Sequence, residues 1–69
     1  MKLKDTNIGD VLFVNDNGWW WLVLLIEKTA SSKHKMYYLD CSRKWLVGCM
    51  YWWTEEFPKV PGRNIVKIQ

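Results

Sequence analysis

Gly18 to Ile26 reads GWWWLVLLI: three tryptophans run into five aliphatic residues, and no polar side chain interrupts them before Glu27. A membrane-spanning helix needs roughly 20 apolar residues. This run is less than half that length, and Asp16 and Glu27 bracket it. Trp, Val and Ile favour strands, and the pair Asn17-Gly18 stands just before the run, so it reads as a strand entered from a turn. Along it Trp19, Trp21, Val23 and Leu25 point one way, and Trp20, Leu22, Leu24 and Ile26 the other. Neither side carries a polar residue, so both faces are expected to be buried. A small protein can do this when one long, bent strand belongs to both sheets of a small barrel.

The chain has 69 residues, which is the size of one domain spanning 1–69. A core this small is marginal by itself. Six Trp, three Tyr and two Phe supply aromatic mass, each ring able to bury on the order of 150–250 Å². The plain explanation of any one tryptophan is therefore core filling. The number of large rings also exceeds what one small interior holds, so some are expected to become buried only against a partner. Ten Lys and Arg face seven Asp and Glu, for a net charge of +3. That mild excess is compatible with an acidic partner or nucleic acid without selecting either.

No catalytic or metal constellation is present. The two cysteines, Cys41 and Cys49, form no CxxC pair, and the single histidine, His34, cannot complete an ordinary zinc site with them. Both thiols read as buried and structural, and a disulfide between them would require a suitable strand register. Asp10, Asp40, Glu55 and Glu56 are spread over turns, with no spacing that argues for acid–base chemistry. GxSxG, phosphate-loop and HExxH motifs are absent, so neither an enzyme nor a cofactor is expected, and no small-molecule substrate is evident. Met1 to Asp5 leads into a polar turn instead of an apolar signal region, which points to a cytoplasmic chain with reduced thiols and no membrane role.

Taken in order, Met1 to Asn7 is polar and expected to be loose at its start. Gly9-Asp10 feeds a first strand, Val11 to Val14. Asn15-Asp16-Asn17-Gly18 is a hairpin signal, since Asn-Gly suits turns that need positive φ. After the Trp-rich strand, Lys28 to Lys35 (KTASSKHK) reads as an exposed loop, with His34 solvated between two lysines. Met36 to Cys41 is a third strand and Lys44 to Trp53 a fourth, with a bulge or bend at Gly48. Thr54 to Phe57 fits one helical turn capped by Thr54. Pro58 and Pro61-Gly62 enforce turns, and Ile65 to Ile68 closes the sheet with Ile65 or Val66 inward. The expected fold is all-β: a small five-stranded barrel with one short helical turn before the last strand.

Gly9-Asp10 before strand one, Gly18-Trp19 opening strand two, and Trp52 to Glu56 before the last strand carry a resemblance. The chain is similar to SH3-like small barrels, and among them to the very small SH3-like proteins that tailed bacteriophages encode. The resemblance covers most of the chain. It implies a viral accessory or inhibitory factor acting in the host cytoplasm, or an assembly subunit associated with the virion. The acidic loop and Ala-Leu-Tyr-Asp-Tyr motif of peptide-binding SH3 domains are absent, so binding of proline-rich peptides is not implied. Fold alone does not choose among the ligands of such barrels.

If Cys41 to Lys44 is the tight loop of the third hairpin, Asp40 faces Trp45 and Tyr38 faces Val47. Asp40 prefers water, which makes its face the outer one. That face would present Tyr38, Trp45, Tyr51 and Trp53 beside Arg43, a contact platform for a protein partner or for a second copy of the chain. A one-residue bulge at Gly48 would instead bring Trp52 there, and the second sheet or the termini could cover the face altogether. The alternative function is a nucleic-acid-binding barrel that stacks bases on these rings, with Lys33, Lys35, Arg43 and Lys44 on the backbone.

Overall fold

Asn17 and Gly18 have φ of 52° and 91°, and Asp16 pairs directly with Trp19 across them. This is the two-residue turn with both central residues in the left-handed region, which Asn-Gly adopts most readily. It launches the two strands from which the rest of the computed structural model, covering residues 1–69, is built. β1 (Val11–Asp16) and β2 (Trp19–Lys28) form that hairpin, followed by β3 (His34–Cys41), β4 (Met50–Trp53) and β5 (Arg63–Lys67). All neighbours are antiparallel, in the order β4-β3-β2-β1-β5. The fold is therefore all-β and five-stranded. Three short 3-10 turns, at Leu3–Asp5, Lys44–Leu46 and Phe57–Lys59, complete it. The third is the helical turn expected before the last strand. It lies three residues later than the Thr54 to Phe57 segment, although Thr54 Oγ1 does accept the Glu56 N–H at 3.3 Å. No helix is long and apolar enough to cross a membrane.

The sheet bends because its pairing slips twice. Between β2 and β3 the register shifts at Leu22/Val23, leaving Leu39 unpaired, and again at Leu25/Glu27, leaving Ile26 unpaired. Such bulges bend a strand and increase its twist. The bend lets side chains from both ends of the sheet meet in one core: Leu12 and Val14 of β1, Val23 and Leu25 of β2, Met36 and Tyr38 of β3, Trp53 of β4, and Leu3 from the first 3-10 turn. Trp21, Leu46, Phe57 and Ile65 pack around it.

Several expectations change. The fourth strand does not begin at Lys44. Residues 44–46 turn instead, tucking Leu46 toward the core, and Gly48 at φ 85° redirects the chain into Met50. The amino-terminal segment is anchored: Leu3 is fully buried and its N–H donates to Glu55 Oε2 at 3.2 Å. Only one face of β2 is covered by the core, since no second layer lies over the other. His34 is the first residue of β3 and is 1% exposed. It shares the inward phase of Met36 and Tyr38, and tertiary burial overrides the polarity of its two lysine neighbours. Neither ring nitrogen of His34 has a hydrogen-bond partner. Cys41 is buried and Cys49 half-buried, both as free thiols.

A buried, unsatisfied polar group is destabilising relative to an apolar one of similar size. His34→Leu is therefore expected to raise the unfolding free energy by about 1–3 kcal/mol, while Leu25→Ala lowers it by about 2–5 kcal/mol. Urea midpoints of the two variants check both signs, and a loss of stability in His34→Leu would refute the first.

Asp10 Oδ2 accepts the Asn7 N–H at 2.8 Å, and its Oδ1 lies 3.4 Å from the Lys67 ammonium. The backbone hydrogen bond, aided by Lys67 and opposed by burial, holds this carboxyl below its ordinary value. The unfolded chain titrates in the ordinary range. The stability contributed by Asp10 is thus complete above that range and is lost as pH falls through the lower folded value. Asp10→Asn should flatten the acid limb of a midpoint-against-pH curve without changing its slope near neutrality.

Candidate functional site

With Leu12, Val14, Val23, Leu25, Met36 and Trp53 turned inward, strand alternation sends their neighbours outward. Two cross-strand rows result. One runs Met50, Tyr37, Leu24, Val11 across β4, β3, β2 and β1; the other runs Leu22, Phe13, Val66 across β2, β1 and β5. Trp20 adds to the second row by stacking on Phe13, with ring centroids 6.0 Å apart. Trp52 stands opposite Lys35 on the same side, and unpaired Leu39 is also exposed. All three 3-10 turns lend their apolar residues (Leu3, Leu46 and Phe57) to the core side. No element is left to cover this outer face. It is a sheet surface of aliphatic and aromatic side chains in which Tyr37, Leu39, Met50, Trp52 and Val66 are exposed and Val11, Phe13, Trp20, Leu22 and Leu24 half-buried.

Cations flank the rings. The Lys35 ammonium lies 5.5 Å from the Trp52 ring centre and the Lys44 ammonium 5.3 Å from that of Trp20. Lys44 also pairs with Asp40 at 2.8 Å. That hydrogen bond and the Cys41 N–H hold the Asp40 carboxyl below its ordinary value. These are exposed pairs worth little in stability. Their effect is to fix lysine stems over the aromatic surface.

The platform expected from the sequence is largely on the other side. Tyr38 is 6% exposed and Trp53 3%, and both belong to the core. The Trp53 indole N–H donates to the Tyr38 hydroxyl at 3.2 Å, and burial pushes the Tyr38 hydroxyl above its ordinary value. The physical reason is the bulge at Leu39. In a regular strand Asp40 and Tyr38 share a face, but one extra residue between them places Asp40 opposite Leu22 on the outer side and Tyr38 opposite Val23 on the inner. Tyr51 follows Tyr38, resting edge-on against it at 5.2 Å on the exposed rim of β4. Trp45 is 73% exposed but stands alone at the β3–β4 connection. Trp52 takes the outward place.

The four basic residues are not brought together. Lys35 and Lys44 border the outer face, Lys33 sits in the β2–β3 loop with its N–H on Thr29 Oγ1, and Arg43 lies over Trp19 at 3.8 Å. No three His, Cys, Asp or Glu side chains converge to hold a metal ion. The residues that sequence reasoning missed are Phe13, Leu22, Leu24 and Tyr37, while Trp52 takes the place that the alternative register gave it. The signal lies in the doubly apolar alternation of β1 and β2, of which only that of β2 carries the expectation of two buried faces. Compared with protein families, curated proteins and solved structures, the chain matches none.

Only Trp53 among the six tryptophans is buried. Acrylamide should therefore quench most of the native fluorescence. Trp45→Phe should remove the most accessible component and Trp53→Phe the least accessible, as Stern–Volmer plots would reveal. Equal accessibility of the two would contradict the placement of the faces.

Proposed function

We propose that this chain is a non-enzymatic interaction module that buries the outer face of its sheet against another protein surface, in the simplest case a second copy of itself. The observation that carries this reading is the uncovered apolar face. Contiguous exposed apolar surface on a small domain marks an interaction site, and the exposed residues include the aromatic types that dominate protein interfaces. The resemblance to SH3-like phage proteins supports a role as an accessory or inhibitory factor, or as an assembly subunit. A second reading, single-stranded nucleic acid stacked on Phe13, Trp20 and Trp52, is favoured by the two lysines held over rings on that face.

Light scattering behind size exclusion separates the two. The interaction module is expected to form a dimer or larger species at both low and high salt, returned to monomer by Trp52→Lys combined with Leu24→Lys. A monomer that shifts only on adding a mixed-sequence oligonucleotide, and loses the shift as salt rises, would replace the first reading with the second.

A further inference from the structure

Across β2 from the outer face is a cavity of about 250 Å³. It lies between the β1–β2 turn, the β3–β4 connection and the start of β5, and its walls include Trp19, Trp21, Tyr38 and Leu46. Its polar groups fall into two classes. Some are spent within the chain. Asp16 Oδ2 accepts Nε and Nη2 of Arg63 at 2.9 and 2.8 Å, and its Oδ1 accepts the Asn17 side chain at 3.0 Å. Arg63 Nη1 donates to the Phe57 carbonyl at 3.1 Å. Ser42 Oγ accepts the Trp20 N–H and donates to the Trp20 carbonyl.

The unspent groups are all donors. Arg43 lies over Trp19, its guanidinium carbon 3.8 Å from the ring centre, and its guanidinium makes no hydrogen bond or ion pair within the chain. The Tyr38 hydroxyl receives the Trp53 N–H, which leaves its own proton without an acceptor. The Trp21 indole N–H also has no partner, but it is shielded from solvent behind the ring that lines the cavity. Two guanidiniums against one carboxylate leave the lining with a single positive charge.

We infer that this cavity binds a carboxylate, received by the free fork of Arg43 and seated among Trp19, Trp21 and Tyr38. An arginine fork matches a carboxylate bidentately, and the remaining donors have no acceptor of their own. One net positive charge suits a monoanion; a dianion would leave uncompensated charge beside apolar walls. A water occupies about 30 Å³ of liquid, so the space holds on the order of eight waters' volume, enough for a carboxylate with one small ring or branched chain. It falls below the about 300–1,000 Å³ typical of drug-sized sites, so one such group fills it and any larger ligand must extend into solvent. The same chemistry can come from a free carboxylic acid or from a glutamate side chain of a peptide. This site is independent of the outer face and stands or falls separately from the interaction reading.

The test follows the indole N–H signals of Trp19 and Trp21 in ¹H–¹⁵N spectra during titration with benzoate, benzamide, inorganic phosphate and N-acetyl-glutamate amide. Benzoate is expected to give saturable shifts, with the neutral isostere benzamide about tenfold or more weaker. Arg43→Gln should weaken benzoate by about tenfold or more, with Arg43→Lys in between. An unchanged Trp53 indole signal would show that the variants keep their core. Competition by N-acetyl-glutamate amide supports a peptide source, and its failure beside binding benzoate supports a free acid. The inference is overturned by non-saturating shifts, by benzamide binding as well as benzoate, by phosphate displacing benzoate at equal concentration, or by an Arg43→Gln variant that binds unchanged.

Discussion

The side chain of Arg63 holds together what the backbone leaves open. β4 and β5 are the two ends of the sheet, and no ladder joins them. Arg63, at the start of β5, forks onto Asp16 at the end of β1, donates to the Phe57 carbonyl, and lies 4.1 Å from the Phe57 ring. That ring stacks at 3.8 Å, almost parallel, on Trp53 of β4. One cation thus links β1, β5, the last 3-10 turn and β4. The ion pair is largely withdrawn from water, with its side chains 16% and 15% exposed. Such a pair is strongly coupled, because removing either partner strands the other charge in a poor environment. Aromatic stacking and a half-buried ion pair take the place of the hydrogen bonds that would close a complete barrel.

This closure explains why one face of the sheet is rich in contacts and the other bare. Every connection that leaves the sheet returns its apolar residue to the concave side: Leu3, Leu46 and Phe57 all pack there. None of the three 3-10 turns packs its apolar residue over the convex side. The doubly apolar β2 therefore serves two purposes. Trp21, Val23 and Leu25 build the core, whereas Trp20, Leu22 and Leu24 form a half-buried sheet surface bordered by Lys35 and Lys44. The imbalance resides in the solvent-facing half of a sheet, where polar residues ordinarily alternate with apolar ones.

Much of this was legible where chemistry is local. Asn17-Gly18 specifies its turn, the β-branched and aromatic runs specify strands, and Pro58 and Pro61-Gly62 place the break before β5. Facing was legible only where alternation is unbroken, as in β1 and in β2 as far as Leu25. On β3 the bulge at Leu39 carries no Gly or Pro to announce it, and it reverses the relation between Asp40 and Tyr38. Two of the four rings expected on the exposed platform, Tyr38 and Trp53, therefore lie in the core, whereas Trp45 and Tyr51 are exposed. Strand four was read too long for a related reason. Lys44 to Val47 has a strand-like composition, and only the need to place Leu46 near the core, followed by the positive φ of Gly48, makes it a turn. His34 shows the converse case: its lysine neighbours describe a loop, while its place two residues before Met36 fits the inward phase of the strand. The separation of Arg43 from Lys35 and Lys44 depends on three-dimensional placement that spacing along the chain does not encode.

The pairing of β1 with β5 joins segments as distant in sequence as Leu12 and Lys67, with an implication for how the molecule is made. The β1–β2 hairpin closes across two residues and can form early, whereas the β1–β5 ladder must pay a large loop-closure entropy before it returns any stability. The core is roofed by Phe57 and Ile65, so it stays incomplete until that late step. During synthesis the tryptophan-rich strand is finished long before Arg63 to Lys67 exists, and it spends that interval as an exposed, pairing-competent ribbon. The slowest part of folding and the period of greatest vulnerability to aggregation are thus set by the same distant pair of strands.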